Sequence, residues 1–130
     1  MFEQKTGNVI VRVEPDFLPE QSSPSEGRFI WAYTVEIENQ GDIELQVVER
    51  FWQIADSHGM VQEVRGEGVV GEKPVLQPGE TFRYTSGAPL SAPSGMMLGT
   101  YSMKAPDGEP FAVDIPPFAL DGPVNSRVIN

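Results

Sequence analysis

Residues 29–38 read FIWAYTVEIE and alternate between two kinds of side chain. Large apolar residues occupy every second position from Phe29 to Ile37, and mostly small or charged residues fill the positions between them. A period of two is typical of a β-strand that buries one face and exposes the other. The sequence therefore predicts a strand over residues 29–38 with one buried face.

Other alternating runs predict further strands. They cover residues 9–13, 45–55, 60–65, 80–86, 96–104 and 110–115. The run at 45–55 changes parity, because Leu45 and Val47 are in phase with Phe51 whereas Trp52 falls on the other face. One additional residue in this strand, a β-bulge, would account for the change.

Turn-forming residues separate these strands. They occupy a long loop at 18–27 and turns at 39–42, 56–59 and 106–108. About seven short strands without any helical periodicity predict an all-β fold, an antiparallel β-sandwich of immunoglobulin or fibronectin type III character. A closed barrel is the alternative architecture.

The length of 130 residues suits one domain and is too short for two ordinary ones. We expect the domain to occupy residues 1–121. Residues 122–130 show no alternation, so we expect a flexible C-terminal tail there.

The net charge of -10 excludes some classes of partner. Such a charge repels phosphate backbones, so we expect no direct binding of nucleic acid. The sequence has no signal-peptide pattern at its N-terminus and no apolar run long enough to span a membrane. It also has no cysteine, which excludes disulfides and thiolate chemistry. We therefore expect a cytoplasmic protein that does not contact membranes.

The segment 65–74, RGEGVVGEKP, contains the spacing G-x-G-x-x-G. In a dinucleotide fold these glycines open a helix, but Pro74 and Pro78 exclude a helix of useful length here. The phosphate loop of nucleotide hydrolases needs a lysine where this chain has Glu72. The remaining interpretations are a tight structural turn or a weak anion site on exposed amides. The candidate ligand residues are Arg65, Gly66, Gly68, Gly71 and Lys73.

Catalytic and metal-binding chemistry have little support. His58 is the only histidine, and it follows Asp56 and Ser57 in a predicted turn too tight for a hydrolytic triad. Carboxylates cluster near two hairpins and offer at most a weak magnesium or calcium site. They are Asp107, Glu109 and Asp114 in one hairpin, and Glu36, Glu38, Asp42 and Glu44 in the other. We therefore assign no catalytic residue, no metal ligand and no cofactor.

Two features suggest interaction surfaces. Arg50 and Trp52 are two residues apart on one strand, so they share a face on which a guanidinium can cover an indole. Arginine and tryptophan carry much of the binding energy in interfaces, although most aromatic residues of a small sandwich belong to its core. The free edge of an open sandwich offers a second route, by strand addition or homo-oligomerisation.

Eight motifs together resemble the bacterial ApaG family, from Val9 almost to Asp121. They are LPEQS (18–22), WAYTV (31–35), ENQG (38–41), RFWQI (50–54), VRGEGVVGEKP (64–74), LQPGE (76–80), YTSG (84–87) and IPPF (115–118). The resemblance implies a fibronectin type III-like sandwich of undefined biochemical role, with a label linked to cobalt and magnesium efflux. It also implies a protein-interaction module, because related domains are fused into eukaryotic proteins. Phe51 and Ala55 stand where the family leads us to expect His and Thr, which removes one candidate metal ligand.

The sequence thus favours a non-enzymatic binding module that acts through a protein partner, with an indirect link to cobalt and magnesium homeostasis. The alternative is weak binding, or hydrolysis, of a nucleotide or pyrophosphate at the glycine-rich loop.

Overall fold

The computed structural model describes residues 1–122, which form nine β-strands and two single-turn 3-10 helices. The strands are β1 (Phe2–Thr6), β2 (Val9–Phe17), β3 (Phe29–Asn39), β4 (Leu45–Asp56), β5 (Val61–Glu67), β6 (Val75–Leu76), β7 (Thr81–Leu90), β8 (Ser94–Lys104) and β9 (Phe111–Asp121). The 3-10 turns, Pro19–Gln21 and Pro24–Glu26, lie in the long loop predicted at 18–27. Over residues 1–122 no helix has the length and apolarity needed to cross a membrane.

The strands form two antiparallel sheets. The first sheet has the order β1-β2-β3-β7, and the second has the order β5-β4-β8-β9, with β6 also paired to β4. The predicted β-sandwich is therefore confirmed, with two more strands than expected. The predicted tail lies outside the described residues, apart from Gly122.

The core lies between the sheets and follows the alternation seen in the sequence. The alternate residues of β3 from Phe29 to Ile37 are all buried, as the strand pattern requires. Trp31 also joins the two sheets, because its indole N–H donates to the carbonyl oxygen of Asp121 over 3.2 Å. The burial of these large side chains provides most of the driving force for folding.

The N-terminal strands differ from the prediction. Strand β1 was not predicted, and β2 runs past Pro15, where we expected it to end. The amide of Gln40 donates to the carbonyl of Asn8, so the even-numbered residues of β2 form the hydrogen bonds to β3. Pro15 is odd-numbered, and its nitrogen therefore points away from β3. Strand β1 begins at Phe2, opposite Val13, and does not reach Pro15, so Pro15 removes no ladder hydrogen bond and an edge position tolerates it.

Two β-bulges shape the second sheet. The predicted bulge in β4 is confirmed, because the pairing of β4 with β8 shifts between Val47 and Glu49. A second shift, in β9, coincides with Pro116 and Pro117. Proline lacks the N–H needed for a ladder hydrogen bond, so a bulge accommodates the pair within a strand.

The two sides of the sandwich are unlike. On one side β1 and β9 lie next to each other, and the amide of Asp114 donates to the hydroxyl of Thr6 over 3.1 Å. On the other side β7 and β5 end their sheets, and each pairs with one neighbour in the described chain. We call this the open side. The glycine-rich loop follows β5 at this side.

Candidate binding surface

The glycine-rich loop is a short hairpin turn after β5. Val69 and Glu72 exchange two backbone hydrogen bonds of 2.8 and 2.9 Å. Between them, Val70 and Gly71 both have positive φ angles, 42° and 81°. A two-residue hairpin turn of type I′ requires positive φ at both positions. Gly71 therefore serves the geometry of the turn.

Gly68 has no room for a side chain. Its φ is 64°, and an added Cβ would overlap the carbonyl oxygen of Glu72. Its amide donates to the carbonyl of Val48 over 2.8 Å. The amides of Gly68, Val69 and Glu72 are thus all bonded to backbone carbonyls, which supports the structural interpretation of the glycine spacing and removes three donors from an anion nest.

Arg50 lies against this loop. Its Nη1 donates to the carbonyl oxygens of Glu67 and Gly68 over 3.1 and 3.0 Å. Gly66 lies over the guanidinium, where an added Cβ would be 2.8 Å from three of its atoms. Within residues 1–122, no carboxylate oxygen lies within 4.0 Å of Arg50. The glycine-rich loop and Arg50, predicted as separate candidates, are therefore one structural unit.

The two loop cations have different surroundings. The guanidinium of Arg65 stacks over the ring of Phe51 at 4.3 Å, a cation–π arrangement. The ammonium group of Lys73 lies 2.8 Å from the carboxylate of Glu67, and its hydrogen bond lowers the pKa of that exposed carboxyl. Lys73 is thus paired within the loop, and Arg65 faces the outer surface of the second sheet.

Three tyrosines meet inside the open side. The hydroxyls of Tyr84 and Tyr101 form a short hydrogen bond between β7 and β8. Burial raises the pKa of Tyr33, Tyr84 and Tyr101, and the charge of nearby Arg50 opposes this rise. Sequence reasoning missed this cluster, although Tyr84 and Tyr101 both lie on the inward-facing positions of their strands.

Trp52 belongs to the core. It is 3% exposed and packs edge-on against Tyr33 and Phe118, with ring centroids 5.2 and 6.0 Å away. The predicted face of Arg50 and Trp52 points inward. The indole is therefore not available to a partner, whereas Arg50 reaches the rim of the sandwich beside the loop.

The outer face of the second sheet carries exposed apolar side chains. Val61, Met96 and Leu98 are 56%, 44% and 39% exposed. The register places Val61 beside Ala55 and Ala55 beside Met96, and Leu98 lies in the next row. We call the surface formed by Val61, Ala55, Met96 and Leu98 the apolar patch. It crosses three adjacent strands, β5, β4 and β8.

A groove of about 310 Å³ lies next to the apolar patch. The stacked Phe51 and Arg65 line one side together with Thr100. Glu49 and Glu67, which are directly paired across the strands, line the other side. Lys73 already pairs with Glu67, whereas within residues 1–122 no cationic nitrogen lies within 4.0 Å of the Glu49 carboxylate. Glu49 is therefore the carboxylate that a bound cation would meet.

The outer face of the first sheet is covered by ion pairs. Arg12 lies 3.0, 3.6 and 2.7 Å from the carboxylates of Glu3, Glu36 and Glu38, and Arg83 lies 3.5 Å from Glu36. The hydrogen bond from Arg12 lowers the pKa of Glu38. Two of the carboxylates considered as weak metal ligands are thus bonded to arginine.

Other candidate residues have structural roles. The carboxylate of Asp56 accepts hydrogen bonds from the amides of His58 and Met60 over 2.9 and 3.0 Å, which shapes the predicted hairpin turn. Over residues 1–122, no three His, Cys, Asp or Glu side chains form a cluster able to hold a metal ion.

Comparison with known proteins identifies the family. A protein-family profile described as DUF525, the ApaG domain, matches residues 19–105. Protein ApaG of Maricaulis maris is 53% identical over 123 residues, 95% of each chain. Protein ApaG of Bradyrhizobium diazoefficiens is 52% identical over all 130 residues and 100% of each chain. The chain belongs to the ApaG family.

Solved structures support the same ApaG fold. A Bordetella pertussis protein described as ApaA superimposes with a TM-score of 0.85 at 51% sequence identity, over 88% of this chain and 94% of that one. The fold is shared more widely. The C-terminal domain of wzt, at 12% identity and a TM-score of 0.57, resembles this ApaG chain in fold alone.

Proposed function

We propose that this ApaG protein is a non-enzymatic binding module whose apolar patch docks a protein partner. The observation that carries the proposal is the contrast between its two outer faces. On the first sheet, Arg12 and its acidic neighbours satisfy one another. On the second sheet, Val61, Met96 and Leu98 are exposed on neighbouring strands. Contiguous exposed apolar residues rimmed by polar ones are typical of interaction sites.

The charge around the patch indicates the chemistry of the partner. Glu49, Glu63, Glu67 and Asp114 surround the patch and the groove, and the whole chain carries a net charge of -10. A complementary partner presents apolar side chains flanked by lysine or arginine. One basic side chain would enter the groove and pair with the carboxylate of Glu49.

The family's link to cobalt and magnesium efflux and the cellular location of the protein are part of this proposal. We propose that the link to cobalt and magnesium runs through the partner, because Glu36 and Glu38 are bonded to Arg12. We place the module in the cytoplasm, as expected from the sequence. Weak nucleotide binding at the glycine-rich loop is the competing function, and the same experiment separates the two.

Selection from a random peptide library tests the proposal directly. We expect the protein to select peptides in which apolar residues alternate with lysine or arginine. Leu98→Asp, which places a charge on the apolar patch, should weaken their binding by about 10-fold or more. Thr81→Asp is the matched control, because Thr81 is exposed on the other sheet and the substitution adds the same charge. The control should leave the dissociation constant unchanged.

The opposite results are equally clear. Peptides that bind Leu98→Asp as well as the original protein, or that are mainly acidic, would disprove the patch as the docking site. Thermal unfolding with nucleotides and pyrophosphate forms the second arm. A ligand present at 100 times its dissociation constant should stabilise the fold by about 2.7 kcal/mol. A rise in melting temperature that corresponds to this stabilisation, seen with a nucleotide, would favour the glycine-rich loop instead.

A further inference from the structure

We propose that β5 pairs antiparallel with β5 of a second copy of this chain, about a two-fold axis at Val64. The proposal adds self-association at the strand edge to the docking of a partner on the outer face. Its basis is the direction of the backbone groups in β5 and the charges that alternate along that strand.

The outward edge of β5 presents regular unpaired backbone groups. The amide of Asp56 donates to Met60 over 2.9 Å, and the amide of Gly68 donates to Val48 over 2.8 Å. The register between these two bonds is antiparallel and unbroken. The backbone N–H and C=O groups of the even-numbered residues from 60 to 68 therefore point toward β4. The N–H and C=O groups of residues 61, 63 and 65 thus point away from the sheet, as does the N–H of Glu67, and can pair with another strand. The carbonyl of Glu67 accepts from Arg50 instead.

The other edge of the open side lacks this continuity. The amide of Asn39 donates to the carbonyl of Glu80 over 3.0 Å. The backbone N–H and C=O groups of the even-numbered residues of β7 therefore point toward β3, and those of the odd-numbered residues point outward. Pro89 occupies one of the outward positions and has no N–H. Proline on an edge strand blocks strand addition. Pro89 is the last of five outward positions, and among its ten residues β7 has one charged residue, Arg83, and no acidic one. Strand β5 contains no proline and carries charges of both signs, which favours it as the pairing edge.

The register centred on Val64 is complementary in charge. With the axis at Val64, Glu63 of each copy lies opposite Arg65 of the other, and opposite charges at opposed positions stabilise a sheet. Moving the axis to Glu63 or to Arg65 would instead oppose two glutamates or two arginines. In the central register Val64, which is 39% exposed, also meets its own copy.

An axis at Gly66 would also oppose Arg65 to Glu67. It would, however, oppose Glu63 to Val69, whose amide is already bonded within the turn. Its innermost pair would also need the Glu67 carbonyl, which accepts from Arg50. The central register is therefore favoured by charge and free backbone groups together.

Such pairing would join two copies of the second sheet into one sheet of ten strands, β6 of each copy included. The outer faces of the two second sheets would then form one continuous surface, which would carry both apolar patches. A single added strand buries little area, so the dimer is weak, with a dissociation constant of about 10 to 100 µM.

Charge exchange across the axis tests the register. Glu63→Arg and Arg65→Glu each create two like-charged pairs, and we expect each to weaken dimerisation by about 10-fold or more in sedimentation equilibrium. An equimolar mixture of the two variants restores both attractive pairs and should dimerise, as should the double variant. Glu20→Arg and Lys5→Glu repeat the same charge changes on exposed residues of other elements and should dimerise like the original protein.

A backbone variant tests the edge itself. Glu63→Pro removes an N–H that faces away from β4, so circular dichroism should show an intact fold while sedimentation shows a monomer. Leu98→Asp, which lies on β8 and not on the β5 edge, should dimerise like the original protein, so the failure of one proposal is distinguishable from that of the other. A protein that stays monomeric at millimolar concentration, or single charge variants that dimerise normally, would overturn the proposal.

Discussion

Above pH 10 the folded protein is expected to lose stability steeply with each further unit of pH. Burial raises the pKa of Tyr33, Tyr84 and Tyr101 above the ordinary value of 10.0. In the unfolded chain these tyrosines release their protons near pH 10, whereas in the folded chain they keep them. Their contribution to stability is complete below pH 10 and is lost as the pH rises toward the folded values. Three such groups give a limiting slope of roughly 4 kcal/mol per pH unit.

Near-ultraviolet absorbance of tyrosinate measures this effect. The chain has 3 tyrosines, all in the cluster, so the signal reports on no other site. We expect the signal to appear together with unfolding followed by circular dichroism, at a pH well above 10. Tyr84→Phe should reduce the slope by about one proton. Tyrosinate formation at pH 10 in a protein that remains folded would contradict the buried cluster.

Gly68→Ala is expected to destabilise the fold by about 3 kcal/mol or more, because it combines a strained backbone with an overlap. Its positive φ is unfavourable for alanine, and the new Cβ would meet the carbonyl oxygen of Glu72, which is fixed in the turn. Urea unfolding followed by tryptophan fluorescence measures the loss.

Gly71→Ala is the matched control for this loop. Gly71 also has a positive φ, of 81°, but a Cβ there would meet no atom within 4 Å. The expected loss is therefore the backbone term alone, about 1 to 2 kcal/mol. Equal losses at the two positions would show that the overlap at Gly68 is relieved by movement of the turn, and the close-packed description of the loop would then be wrong.

Local pattern was sufficient for most of the sandwich. The alternation of β3 and the parity change of β4 are properties of neighbouring residues, and both were predicted correctly. Strand β1 was missed because FEQKT has one large apolar residue and no clear alternation. The end of β2 was misplaced because Pro15 is tolerated only where β1 does not lie opposite it, and the local sequence does not show where β1 begins.

The candidate site depends more on long-range register. Arg50 and Gly66 are opposed across β4 and β5, so the reason for glycine at 66 becomes visible only when the pairing is known. The tyrosine cluster joins residues from both sheets in the same way. The inward direction of Trp52 could be foreseen from its parity with Ile54, since both lie beyond the bulge on the buried face.

The chain passes from the first sheet to the second and back again, and this order affects the rate of folding. Strand β3 pairs with β7, whose first residue, Thr81, follows the end of β3 at Asn39 by 42 positions. Strands that intervene in the sequence belong to the other sheet. Such distant pairing slows folding to about milliseconds to seconds. On the ribosome, β3 emerges well before its second partner, so neither sheet is completed until most of the domain has been synthesised.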